Sequence, residues 1–322
     1  MSMPRLLIDT DVGSDDAMAL VICAAAELNG KAKIEGVTCV HGNTHLDNVC
    51  INTLKVLKTI NRLDVPVYKG AESAILETVV RAGDIHGNDG FGDFYYPDPP
   101  RADILLQQEH AANYLVKKVS QNPGQLTLLT LGPLTNVALA IRLDPNFCKN
   151  VKEVVIMGGN SEGVGNITAA AEFNFFSDPE AAYIVIENMK CPITIFPYEA
   201  ALRHGGIPYK WRKEVLGALR TPQMELLNKV ERVILERELY GVWSRCDPIA
   251  AALAIDPAII VEKSKCFVTV ELHGQHTRGA MVVDHLCRLN KEPNVTVVKK
   301  IDIEEYKKVL MNAFGSNLTE KE

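Results

Sequence analysis

The chain has 322 residues, with 34 Lys and Arg against 40 Asp and Glu, a formal charge of −6. It is 47% hydrophobic and 23% charged, which excludes collagen-like, coiled-coil and wholly disordered proteins. The mild acidic balance gives no electrostatic case for nucleic acid. The longest clean apolar run, Ala17 to Ala26, is half the roughly 20 residues a membrane span needs.

In chain order, short apolar runs alternate with longer helical ones. Leu6 to Ile8 precedes a helix from Asp15 to Leu28, and Ile34 to Val40 precedes a helix from Asp47 to Ile60. In that second helix Val49, Thr53, Val56, Leu57 and Ile60 fall at helical spacing. A short strand at Val65 to Tyr68 follows, then a helix from Gln107 to Val119 feeding a strand at Leu126 to Leu131. Helix Leu134–Ile141, strand Val154–Met157, helix Asp178–Met189 and strand Ile193–Phe196 continue the rhythm. Beyond Pro197 come an amphipathic stretch from Pro222 to Tyr240, a helix from Asp247 to Ile255, and strands at Phe267–Leu272, Ala280–Asp284 and Val295–Val298.

This β-α-β-α order predicts an α/β protein: a mostly parallel central sheet with helices on both faces, an open Rossmann-like sheet with extra C-terminal strands. No repeat, linker or composition shift divides the chain, so residues 1–322 read as one domain. The segment Gly83 to Pro100, rich in Gly, Asp, Pro and Tyr, is long for a compact domain and reads as a mobile lid. The N-terminus lacks the basic and apolar regions of a secretory leader, and the eight cysteines form no C-x-x-C pair. Reduced, packed thiols in a cytoplasmic protein fit that scatter better than a disulfide frame or a zinc site.

The chemistry collects in Leu6 to Leu20, LLIDTDVGSDDAMAL. A strand ends in Asp9 and Asp11, a Val-Gly-Ser turn follows, and Asp15 and Asp16 open a helix. Helix capping and the helix dipole account for one or two of these carboxylates, not for all four. At ~5 Å and an effective dielectric of ~20, each carboxylate pair costs about 3 kcal/mol, so a convergent group calls for a cation or shifted pKa values. With no nearby His or Cys, that cation is hard, calcium or magnesium. An EF-hand fails, since Ser14 and Leu20 occupy the places of its Gly and closing Glu. A dinucleotide fingerprint fails because Gly13 stands alone. A metal-dependent phosphatase with an aspartyl nucleophile in Asp9-Thr10-Asp11 stays open on this segment.

Further polar clusters follow other apolar strands: His41-Gly42-Asn43, Thr130 to Asn136, Met157-Gly158-Gly159-Asn160, Gly165 to Thr168, and Glu172-Phe173-Asn174. In an extended segment Glu172 and Asn174 project to one side, an acceptor and amide pair suited to vicinal hydroxyls. Asp-Pro occurs five times, at Asp98, Asp144, Asp178, Asp247 and Asp256, each readable as an N-cap followed by Pro at the first helical position.

Together these segments resemble the inosine/uridine-preferring nucleoside hydrolase family over nearly the whole chain. The resemblance is carried by DTDVGSDDAMAL (9–20), HGN (41–43), TLGPLTN (130–136), MGG (157–159), GNITAAAEFNFFSDPEAA (165–182) and DP (247–248). It implies hydrolysis of the N-glycosidic bond of a ribonucleoside to free base and ribose, with one calcium ion at the carboxyl ends of the strands. Carried over by position, the metal ligands are Asp11, Asp16, Asp247 and the backbone carbonyl of Leu131. Asp11 also takes the proton of the calcium-bound water, and attack opposite the leaving base implies inversion at the anomeric carbon. Asp15, Asn43, Asn166, Glu172 and Asn174 hold the ribose, and Phe173 walls the sugar or base.

The match departs at the leaving-group side, where nonspecific and pyrimidine-preferring members carry His before the late Asp-Pro and this chain has Cys246. His86 matches the family's other base-side His, so His86 and Cys246 are the candidates for leaving-group chemistry, with Tyr240 or Trp243 as caps on the base. The resemblance implies a homodimer or homotetramer. A catalytically weak calcium- and nucleoside-binding protein is the alternative from another functional class.

Overall fold

The computed structural model describes residues 3–76, 86–238 and 241–319. Tyr240, the end of the stretch read as a helix from Pro222, and the first residues (83–85) of the presumed lid lie outside them. Eleven strands are found among the described residues: β1 (Arg5–Thr10), β2 (Lys33–Cys39), β3 (Val67–Lys69), β4 (Leu106–Gln107), β5 (Leu126–Thr130), β6 (Glu153–Met157), β7 (Ile193–Phe196), β8 (Ile260–Cys266), β9 (Val268–Val270), β10 (Met281–Val283) and β11 (Val295–Ile301). Nine form one sheet in the order β4-β3-β2-β1-β5-β6-β7-β11-β8, and β9 and β10 pair separately. Every pairing in the large sheet is parallel except β11 with β8.

The order matters for function. From β1 the chain winds outward through β2 and β3 to β4, then returns to β5 on the other side of β1. Helices leaving β1 and β5 therefore diverge to opposite faces, opening a crevice at the carboxyl ends of these two strands, where open α/β sheets bind ligands. Asp11 follows β1 and Leu131 follows β5, so both stand at this switch point.

Two apolar layers flank the sheet. The helix Ser14–Leu28 is buried almost throughout, Ser14 to Ala26 save for Asp15, because it runs between the sheet and two late helices. One is Asp247–Ile255, whose sequence DPIAAALAI starts on Pro and is apolar all round. The other is Ile303–Gly315, which sets Tyr306, Leu310, Ala313 and Phe314 against the core at helical spacing. Small Ala side chains on the first two let their backbones approach closely. No described helix is long and apolar enough to cross a membrane.

Most predicted elements are present, with instructive differences. The helix expected from Gln107 begins at Ala111, after the short edge strand β4. The amphipathic stretch from Pro222 breaks at Glu231 into helices Pro222–Val230 and Arg232–Arg237. The lid expectation fails for its described part: Phe91 is fully buried, and Asn52 Nδ2 donates to the Asp89 carbonyl at 2.9 Å. These contacts pin the segment to the helix Leu46–Thr59.

Candidate active site

A cavity of about 220 Å³ opens at the switch point, lined by Asp11, Asp15, Leu131 and Asp247 at its floor and by Asn43, Asn166, Glu172, Phe173 and Asn174 around it. His86 and Cys246 complete the set that the sequence nominated. Asp16 lies just beneath, fully buried.

The floor is built by local turns. Asp16 accepts hydrogen bonds from the Gly13 N–H at 2.9 Å, from Thr10 Oγ1 and from Asn43 Nδ2 at 3.2 Å. It therefore closes the turn after β1 and complements the helix N-terminus in one stroke. Asp11 Oδ2 accepts from the Asn43 N–H at 2.8 Å, while Asp11 Oδ1 is buried with no hydrogen-bond partner. Glycine is required beside it, because a Cβ at Gly42 would collide with Asp11 Oδ2 and one at Gly132 would sit 2.7 Å from Oδ1. Asp247 is the first residue of its helix and makes no capping bond there. The capping alternative therefore fails for Asp247, whereas Asp178 and Asp256 do cap, accepting from the Ala181 and Ala258 N–H groups.

The electrostatics follow from this crowding. Burial and then the charge of Asp16 push the Asp11 carboxyl well above its usual range. Burial, followed by Asp15, Asp16 and Asp11, does the same to Asp247. Asp16 is raised by burial and Asp15, and it hydrogen-bonds Asp247, which places a proton between two carboxylates. One carboxylate oxygen each from Asp15, Asp16 and Asp247 lie within 4.8 Å of one another. Buried oxygen donors without cationic neighbours, one of them orphaned, are the donor set a hard divalent cation fits. This geometric trio holds Asp15 where the expected ligand set has Asp11; Asp11 adjoins it.

Asp9, the fourth carboxylate of the motif, does not join. Its Oδ1 accepts from Asn136 Nδ2 at 2.8 Å and Thr38 Oγ1 at 2.6 Å, and burial raises its pKa to about 7. Asn136 thus serves as scaffold, and within 130–136 it is Leu131 that faces the cavity. The Leu131 carbonyl accepts from Asn174 Nδ2 at 2.7 Å and keeps a second lone pair. Glu172 and Asn174 do share the cavity, but not as an extended segment. Glu172 caps the short helix Phe173–Ser177, accepting from the N–H groups of Asn174 and Phe175 and also from that of Gly159. Burial raises Glu172 to about 7 against those three bonds. Asn166 Oδ1 takes the Phe173 N–H at 2.8 Å, folding the loop over the cavity.

The opposite end is different in make-up. Tyr198, Tyr209, Ile234, Val242, Ser244 and Arg245 line it with Cys246. Arg245 Nε donates to Glu231 Oε1 at 2.6 Å, and Glu231 also takes Arg212 and the Trp243 indole N–H. Burial alone would raise Glu231, but Arg245 and Arg212 hold it below the usual carboxylate range. Trp243 is spent on this network and buried, so it is packing and not a cap on the cavity. His86 Nδ1 accepts from the Ser14 N–H at 3.2 Å, which leaves the ring proton on Nε2. Burial lowers the His86 pKa although Asp15 and Asp16 oppose it, and burial pushes the Cys246 thiol up. Arg245, Glu231, Tyr198 and Tyr209 escaped the sequence reading; the one local clue was Arg245 standing directly before Cys246-Asp247.

The model of the inosine-uridine preferring nucleoside hydrolases matches residues 6–308. The chain belongs to that family. It is 33% identical over 309 residues to the inosine-uridine preferring nucleoside hydrolase of Leishmania major, covering 94% of this chain and 95% of that one. It is 31% identical over 314 residues to a pyrimidine-specific ribonucleoside hydrolase of an Enterobacter species, covering 94% of each. The solved inosine-guanosine nucleoside hydrolase superposes with a TM-score of 0.88 at 31% identity, over 97% of this chain and 98% of that one. The protein is accordingly an N-ribosyl hydrolase of a metal-dependent family. Those three relatives are named for different bases, so likeness alone does not fix the base taken here.

Proposed function

We propose that this chain hydrolyses ribonucleosides to base and ribose with a calcium ion held by Asp11, Asp16, Asp247 and the Leu131 carbonyl. The observation that carries the reading is the gathering of buried carboxylates at the floor of one cavity, with Asp11 Oδ1 left without a partner. When bound, the ion would polarise the attacking water and offer coordination to the two ribose hydroxyls.

The residues of the chain supply the rest. Asp11 accepts the proton of the attacking water through its unpartnered oxygen. Asp15, Asn43, Asn166, Glu172 and Asn174 grip the sugar hydroxyls, and Phe173 closes one side against solvent. Breaking the C1′–N bond leaves an oxocarbenium-like sugar, whose positive charge the carboxylates beneath it stabilise. Attack from the face opposite the base inverts the anomeric carbon. His86, with its proton on Nε2, and the Cys246 thiol are positioned toward the leaving base. Eight free thiols suit a reducing, cytoplasmic setting, and the family resemblance supports a homodimer or homotetramer.

A panel of inosine, guanosine, adenosine, uridine and cytidine, assayed for base release with and without chelator, tests this reading. Release that a chelator stops and calcium restores is the expected result. Undiminished release after exhaustive chelation would remove the ion from the mechanism, and binding without release would leave a nucleoside-binding protein. The aspartyl phosphatase reading is set aside, because Asp9 is locked away from the cavity by Asn136 and Thr38.

A further inference from the structure

The cavity is electrically polar along its length. Four carboxylates crowd the floor, whereas the far end holds two guanidinium groups, Arg212 and Arg245, around the single carboxylate of Glu231. The Arg212 and Glu231 side chains are fully buried, and the Arg245 side chain is 14% exposed. Arg245 spends Nε on Glu231 and Nη1 on the Ser244 carbonyl. Its Nη2 is buried and has no hydrogen-bond partner, in a residue that lines the cavity. A buried guanidinium donor left unmade is costly, so such an atom points to a ligand acceptor. The excess positive charge stands where a departing base would gain negative charge.

From this geometry we infer that Arg245 is the base-end catalytic and specificity residue, stabilising the departing nucleobase as an anion through Nη2. The inference rests on the proposed ribonucleoside hydrolysis. The C1′–N bond breaks and its electron pair stays on the base nitrogen, where carbonyl groups of the base spread the charge toward Arg245. The water oxygen bonds to C1′ and its proton passes to Asp11. After release the base anion takes a proton from solvent and Asp11 gives its own up, so the sum is nucleoside plus water to ribose plus base.

Arginine carries donors and no acceptor. It therefore matches bases that present oxo groups, such as hypoxanthine, guanine and uracil. Against adenine and cytosine it opposes an exocyclic amino group, donor to donor. The substrate class assigned to this chain is thus oxo-base ribonucleosides.

The test compares wild type, Arg245→Met and Arg245→Lys on inosine, uridine, adenosine and 4-nitrophenyl β-D-ribofuranoside, whose leaving group needs little help. Wild type should favour inosine and uridine over adenosine. Arg245→Met should lose about 100-fold in kcat/KM on inosine and uridine, the scale of one charge-stabilising donor, and under about 3-fold on the nitrophenyl riboside. Arg245→Lys, which keeps the charge without the fork, should recover part of the loss. Arg245→Met that keeps inosine turnover, or that loses all ribosides equally, would overturn the inference while the hydrolase stands. So would a wild-type preference for adenosine. A wild type that cleaves no riboside at all would instead sink the proposed function, and this inference with it.

Discussion

At the carboxylate end of the cavity, Asp11, Asp15 and Asp16 come from one turn after β1, and backbone N–H groups of Gly13 and Asn43 hold two of them in place. At the guanidinium end, Arg245, Glu231, Arg212 and Tyr209 come from separate helices and loops and hold one another by side chains alone. The first region is fixed by the sheet and cannot shift without unmaking it. The second is a network of charges whose members depend on each other, so it can vary between relatives that share a floor. That contrast explains how enzymes named for purine and for pyrimidine nucleosides resemble this one equally well.

The sharpest way to break the comparison is at the floor. Asp11→Asn should lower kcat by about 10³-fold or more, the upper range for a positioned base, while a ribose-like inhibitor still binds by calorimetry. Loss of inhibitor binding along with turnover would mean that Asp11 builds the cavity and does no chemistry. At the other end, Glu231→Gln leaves two buried guanidiniums with half their partner, which should cost about 3 kcal/mol of stability in a denaturant titration. Calcium affinity should be unchanged in that variant if the two ends are independent; a matching loss would show them coupled.

Calcium itself should stabilise by mass action. At a hundredfold excess over its dissociation constant the gain is about 2.7 kcal/mol, or roughly 5 °C in Tm for a chain of this size. Thermal melts with chelator and with calcium check it. The smallest effect lies outside the cavity. Glu35 receives Arg5, Lys33 and Lys118, and although burial opposes them they lower its pKa from 4.5 to about 2. A lowered folded pKa adds stability above the unfolded value, lost as pH falls from about 4.5 toward about 2. Glu35→Gln should therefore cost about 1 kcal/mol at pH 7, since the three cations are part-exposed, and the difference should vanish in acid melts.

The carboxylate end was legible because it is local. Strand, turn and helix start follow within DTDVGSDDAMAL, and charge crowding among near neighbours can be argued without knowing the fold. The same locality misled for Asp9, whose position in the motif conceals that Asn136 reaches back from beyond β5 to hold it. Spacing also put Glu172 and Asn174 on one extended face, whereas Glu172 opens a helix. Asp247 could be weighed only as a cap, since its partners are distant in sequence. The guanidinium end left almost no trace, because single polar residues meeting by tertiary packing have no period. Strand β8, IVEKSKC, went unread for a related reason: it is a charged edge strand, exposed along much of its length. The helix Ile303–Gly315 was readable, since Asp302 caps it by accepting from Glu304 and Glu305, but it follows polar residues that mask its start.

The pairing of the helix Ser14–Leu28 with the helix Asp247–Ile255 brings Asp16 and Asp247 together from opposite ends of the polypeptide. A ribosome must therefore release nearly all of the chain before the ion's cradle can exist. Fragments ending short of Asp247 should be silent in both ion uptake and turnover, so a tightly held ion certifies that synthesis and folding have both finished.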